Sequence, residues 1–218
     1  MVEPLKIFAR NMDADYSQNS ALCIKAMLLD FLLKRNPSHY FGNEVFYGLK
    51  TRAADIVSVG RFVTAFEIKS NGDNVSRLQE QMEDYKRVFD FVYIVTAEKH
   101  LPRVKKMASR NIGIILVKDG EVAVLKKAAM NKKLSKDEIL ASIPINFLCS
   151  YFNEKQNCFA NEIRKKLKGQ SLNNLRKCFR MYLVEKLKAS NTLFRQEKNC
   201  PTHFEDVALL NIAPNVFV

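Results

Sequence analysis

The chain has 218 residues, 47% of them hydrophobic and 27% charged, with a formal net charge of +12. That is an ordinary globular composition, long enough for one substantial core or a core with a small appendage. No run of about 18 apolar residues exists, so a membrane span is not expected, and the N-terminal MVEPLKIFARNMDADY has acids where a secretory signal needs an apolar stretch. A cytoplasmic location is the resulting expectation.

In chain order, SALCIKAMLLDFLLKR (residues 20–35) predicts a helix, capped by Asn19 or Ser20 and ended by Pro37, with Leu22, Met27, Leu29 and Leu33 near one stripe. NEVFYGLK predicts a short strand. AADIVSV and FVTAFEIKS are β-branched and aromatic and meet at Gly60-Arg61, so they predict a hairpin. A loop, SNGDN, supplies Asp73 or Asn74 as a cap for a helix over 75–89. FVYIVT predicts a buried strand, EKHLPRVKKMASR a helix, and IGIILV and EVAVLKK a hairpin about the KDG turn. The fold class expected is therefore α/β, a mixed sheet flanked by helices.

The character changes at 127–135. LSKDEILASI, INFLCSYFNE, ANEIRKKLK and SLNNLRKCFRMYLVEKLKAS all predict helices. We read residues 1–130 as the α/β core and 131–218 as a basic, all-α C-terminal region. Residues 126–198 hold 17 Lys/Arg against 6 Asp/Glu, so the basic excess belongs there. Two readings of that excess stand side by side: solvated helix faces, or a surface for a phosphate backbone. ANEIRKKLKGQSLNNLRKCFRMYL has the outline of a helix–turn–helix, with Gly169 in the turn, Ser171 as cap, and Arg176, Lys177 and Arg180 presented; a plain packing unit is the alternative.

Three charges interrupt the apolar hairpin: Asp55, Glu67 and Lys69. Glu67 and Lys69 are two apart and share a strand face. The turn folds Asp55 back beside Glu67, and two carboxylates that close call for a cation. An all-oxygen set suits Mg²⁺, with Mn²⁺ a substitute. Glu44 on the preceding strand is a further acid, and Arg77, Gln81 and Tyr85 share one face of the next helix. The alternative is a structural salt bridge of Lys69 with Glu67 or Asp55.

These residues, as D…E-x-K followed by Q-x-x-x-Y, resemble the PD-(D/E)xK nuclease superfamily in its RecB-like branch. The run from Arg52 to Leu101 is similar, more closely still, to a small uncharacterised bacterial family of that superfamily, through Arg52 and Asp55, EIKS, Asp73, RLQEQMEDY and His100. The spelling RAAD is one residue longer than the compact R-x-D form, which separates Arg52 from that pattern. The resemblance covers about residues 20–117. It implies a restriction-endonuclease-like fold and a metal-dependent deoxyribonuclease. Asp55, Glu67 and the Ile68 carbonyl would hold the metal, with Glu44 nearby. Lys69, Gln81 and Tyr85 would assist catalysis, and Arg52 and Arg77 would contact DNA. DNA repair, defence and mobile-element biology all use such enzymes.

Some RecB-like nucleases carry an iron–sulfur cluster. Here Cys149, Cys158, Cys178 and Cys200 are 9, 20 and 22 residues apart, too loose for that pattern, so no cluster is expected. With Cys23 they form no C-x-x-C pair, and reduced thiols are the simplest reading. His39 and His203 read as surface residues. DNA is the expected partner, by way of a nuclease or of a catalytically silent DNA-binding or adaptor protein on the same fold. A non-nucleic-acid protein with a salt-bridged hairpin is the third reading. The sequence leaves protein partners and oligomeric state open, a homodimer included.

Overall fold

The computed structural model describes residues 20–154 and 159–211. Helix α1 (Ala21–Arg35) leads into a meander of β1 (Tyr40–Tyr47), β2 (Arg52–Val59) and β3 (Val63–Lys69). Next come α2 (Leu78–Tyr85), β4 (Phe91–Ala97), α3 (Leu101–Met107), β5 (Gly113–Lys118) and β6 (Glu121–Lys126). Four helices follow: α4 (Lys136–Ala141), α5 (Ile145–Phe152), α6 (Ala160–Leu167) and α7 (Leu172–Glu197). The six strands form one mixed sheet in sequence order. β1–β2, β2–β3 and β5–β6 are antiparallel, while β3–β4 and β4–β5 are parallel. The mixed sheet flanked by helices, with an all-α C-terminal part, is the expected class.

Apolar side chains fill both faces of the sheet. On one face α1 packs Ile24, Leu28, Leu29 and Leu32 against Ile56, Phe66, Ile68, Val95 and Ile115. On the other, Leu78, Met82 and Tyr85 of α2 share a core with Val57, Ala65 and Ile94, and with residues of α4 to α7. The break at 127–135 is thus a change of layer within a shared core. Burial on α1 runs almost all round, which is why the expected stripe is misplaced: Leu22 is exposed, and Ile24, Leu28 and Leu32 carry the contact. The helix also starts one residue later than expected, with the Ser20 hydroxyl accepting from the Cys23 N–H. α2 is shorter than the span 75–89, and β1 begins three residues before the expected strand.

α7 crosses edge strand β1, and Gly42 makes the approach feasible. A Cβ there would come within 2.6 Å of Val45 and 2.9 Å of Leu187. One turn beyond Leu187, the buried Asn191 accepts from the Phe41 N–H at 2.7 Å and donates to the Phe41 carbonyl at 2.6 Å. At the far end of α1, the Asp30 carboxylate accepts from the N–H and hydroxyl of Thr202 at 2.9 and 2.6 Å, which holds the chain after α7. Among the described residues no helix is long and apolar enough to cross a membrane.

The Asn191 clamp predicts a large local effect. Asn191→Leu leaves two buried backbone groups of β1 without partners, at about 1–3 kcal/mol each. Urea denaturation should therefore show a loss of roughly 2–6 kcal/mol, with an unchanged slope. A loss under about 1 kcal/mol would mean that α7 docks on β1 without it.

Candidate active site at a fork in the sheet

The β2–β3 ladder runs from Val59↔Val63 to Ile56↔Phe66 and stops. Beyond it β2 stays with β1, as far as Tyr47↔Arg52, while β3 stays with β4, as far as Lys69↔Thr96. The two strands part where Asp55 and Glu67 would have been the next pair. Asp55 spans the opening: its Oδ2 accepts from the Ile68 N–H at 2.7 Å, replacing the missing rung. Because N–H and C=O of one strand residue leave by the same edge, the Ile68 carbonyl also belongs to the fork.

Glu67 is buried and doubly held. Oε1 accepts from Lys69 Nζ at 2.8 Å, and Oε2 accepts from the Tyr85 hydroxyl at 2.5 Å. Tyr85 is fully enclosed, edge-on to Tyr47 with ring centroids 5.2 Å apart. Burial, then the Glu67 charge, keeps its phenol well above the ordinary range, so it is a permanent neutral donor. Val63, Ala65 and Val57 lie in the core on the α2 side, and strand alternation carries Lys69, Glu67 and Asp55 to that side with them.

From the opposite layer comes a residue that no motif marked. Lys25 on α1 is only 5% exposed. Its ammonium donates to Asn43 Oδ1 at 2.9 Å, pairs with Glu44, and lies 3.7 Å from Asp55 Oδ1. Glu44 can reach it because its backbone is left-handed, with φ 51°, which breaks the alternation of β1. The sequence signal was a lone lysine between Ile24 and Ala26 in an apolar helix. Tyr47, on the α2 side, was missed as well; its buried hydroxyl has no partner among the described residues.

The fork thus gathers Glu44, Asp55, Glu67, Ile68, Lys69 and Tyr85 of the predicted residues. Gln81 is half-buried one turn before Tyr85, and its side chain makes no hydrogen bond among the described residues. Arg77 is exposed at the start of α2. Arg52 is engaged elsewhere: it pairs with Glu80 at 2.5 Å and Asp84 at 2.7 Å and so ties β2 to α2. Arg176 is a structural anchor of α7, 2.7 Å from Asp90, whose other oxygen accepts from the Val63 N–H at 2.9 Å. Of the α7 trio, Lys177 is exposed and Arg180 half-buried. His100 lies in a 3-10 turn after β4, and its buried Nε2 has no hydrogen-bond partner among the described residues. His39 packs over Gly60, where a Cβ would come within 2.1 Å of the ring, and meets Ser58 Oγ at 2.9 Å. His203 lies against Phe204, with the rings tilted and their centroids 4.1 Å apart. Cys23, Cys149 and Cys178 are buried free thiols and Cys200 an exposed one; Cys158 lies outside the described residues.

The donor set is hard and all-oxygen. Among the described residues no three His, Cys, Asp or Glu side chains converge as a ready-made metal cage. Two carboxylates and a carbonyl do fit Mg²⁺, which keeps several waters and takes few protein ligands. Each bonded carboxylate oxygen at the fork retains a lone pair.

Residues 16–211 match the family described as bacteriophage P4 protein cII. The chain belongs to that family. Protein cII of Enterobacteria phage P4 is 26% identical to this cII-family chain over 203 residues, 87% of this chain and 77% of that protein. A solved structure of a protein of unknown function from Silicibacter pomeroyi covers 72% of this chain and 98% of its own, at 12% identity and a TM-score of 0.41.

Asp55 gives the site a pH signature. Burial, then the nearby Glu67, pushes its carboxyl up to about 7 from 3.8, against the opposing pull of Lys25 and the Ile68 N–H. Between those values the folded chain keeps a proton that the unfolded chain has released, so stability falls as pH rises through the window. The loss from this group should be roughly 2–4 kcal/mol between about pH 4 and 8. Asp55→Asn, unfolded by urea in EDTA across that range, should lack this part of the slope and gain on wild type as pH rises. Parallel pH profiles would show that Asp55 is ionised throughout.

Proposed function

We propose that the chain is a divalent-metal-dependent nuclease acting on DNA, built on the PD-(D/E)xK plan that its motifs resemble. One observation carries this reading: the fork between β2 and β3, where Asp55, the Ile68 backbone, Glu67 and Lys69 converge. The order of helix, antiparallel three-strand meander, helix and parallel strand supports it. So does the burial of these charges, since isolated charges in apolar strands are costly unless a task or a partner retains them.

In this reading Asp55, Glu67 and the Ile68 carbonyl would hold the ion, with Glu44 at the exposed side. A bound Mg²⁺ would acidify a water and offset charge on a phosphoryl oxygen. Lys69, held by Glu67, would orient the attacking water and stabilise developing charge more in the transition state than in the ground state. Tyr85 would fix the Glu67 carboxylate. This differs from a phosphate contact, because its hydroxyl is already committed to Oε2. Gln81 is the free donor on that helix face and would face substrate. Lys177 and Arg180 are the members of the α7 trio left to meet a DNA backbone.

A second reading has an observation of its own. Lys69 on Glu67, and Lys25 on Asp55 and Glu44, already offset most of the negative charge at the fork. That is the state expected of a silent DNA-binding or adaptor protein on the same fold.

Cleavage assays on linear, circular, branched and single-stranded DNA, with Mg²⁺, Mn²⁺ or EDTA, separate the two. The nuclease reading expects metal-dependent products, abolished by Glu67→Gln. At matched DNA occupancy, Lys69→Ala should slow cleavage by roughly 10²–10³-fold. Binding without cleavage in any metal supports the silent reading. Neutralising Lys177 and Arg180 together should lower the salt slope of DNA binding by about one to two. An unchanged slope would remove α7 from the DNA path.

A further inference from the structure

The fork holds a cation that belongs to the chain. Lys25 sits in the most buried stretch of α1, between Ile24 and Ala26, and extends to acceptors on two strands. Two of its three partners have another hold on their place in the fold. Asn43 has a second partner in Asn211, at 2.6 Å, and Asp55 is pinned through its other oxygen by the Ile68 N–H. Nor is the pair sealed: the Glu44 side chain is 48% exposed, so the cluster opens to solvent on that side. A lysine ammonium ends a flexible four-carbon stem and can swing without backbone movement.

We propose that Lys25 is a tethered competitor for the metal: its ammonium holds Asp55 and Glu44 until a divalent cation displaces it, so metal uptake and release of Lys25 are one event. The proposal rests on the nuclease-type reading of the fork and deepens it. Charge makes the exchange favourable. With Asp55 ionised, Glu44, Asp55 and Glu67 supply three negative charges against Lys25 and Lys69. Withdrawing Lys25 leaves two uncompensated, which a divalent ion matches and a second lysine would not. Competition also makes the exchange selective. An ion must out-compete a tethered ammonium at high local concentration, which excludes monovalent cations and weak divalent binding.

The test is Mn²⁺ binding to the full chain without DNA, followed by electron paramagnetic resonance of free Mn²⁺ and by calorimetry. Lys25→Met keeps the stem and removes the charge. It should bind Mn²⁺ at least about tenfold tighter than wild type, and its Tm should rise more on adding Mn²⁺. Asn43→Ala, which loosens the hold on Lys25 and spares every carboxylate, should lie between the two. It carries the test should Lys25→Met fail to fold. Affinity in these variants equal to or below that of wild type, with binding lost in Asp55→Asn, would overturn the proposal: Lys25 would be a brace, and the metal reading of the fork would survive. If neither wild type nor the variants bind Mn²⁺ at millimolar concentration, the metal reading itself falls and takes this proposal with it.

Discussion

The hydrogen bond from the Ile68 N–H to the Asp55 carboxylate is the constraint on which the site depends. A sheet that splits must leave backbone groups unpaired, and a buried unpaired N–H is expensive. Here one carboxylate oxygen takes the place of the lost strand rung at 2.7 Å. The strands can then diverge while apolar side chains still fill both faces of the sheet. Every other member of the site takes its position from that opening. Glu67 stands across it, Lys69 two residues on, and Tyr85 and Lys25 enter from the two helical layers.

Such a fork is held by charge more than by apolar contact, and its neutrality is local. Lys69 answers Glu67, while Lys25 answers Asp55 and Glu44. Replacing either lysine by an apolar residue leaves a carboxylate facing low dielectric, where protonation is its simplest escape. Asp55 is already part of the way there, raised by burial and by Glu67 despite the nearby ammonium. The basic residues of the C-terminal third divide in a similar way. Arg176 is consumed in anchoring α7 to Asp90, whereas Lys177 remains on the surface. A count of +11 over that region therefore overstates the charge free to meet a partner.

The strands were legible because β-branched and aromatic runs bounded by Gly and polar turns leave few alternatives, and the hairpin fixed which carboxylates meet. Lys25 was not legible. Its helix is buried nearly all round, so periodicity could not say which side it faces. Only the absence of any other charge from residue 21 to residue 29 marked it. Tyr47 was hidden for a similar reason, since a tyrosine in an apolar strand reads as core, and its ring is indeed core. Arg52 and Arg176 misled in the opposite sense: a sequence shows a basic residue but not the acid that folding brings to it. Asp84 and Asp90 are 32 and 86 residues away from them.

The clamp of Asn191 on Phe41 has a consequence for assembly. Both Phe41 backbone groups point away from β2, and two residues on, Asn43 bridges to Asn211 on that same outer side. This margin of the sheet is closed to an incoming strand. The opposite margin, β6, carries exposed Val124 and Leu125. Strand addition is thus confined to one side of the molecule. Two chains joined there would bury both open margins against each other and present a capped β1 at either end, so growth would stop at a pair and could not run on into a fibre.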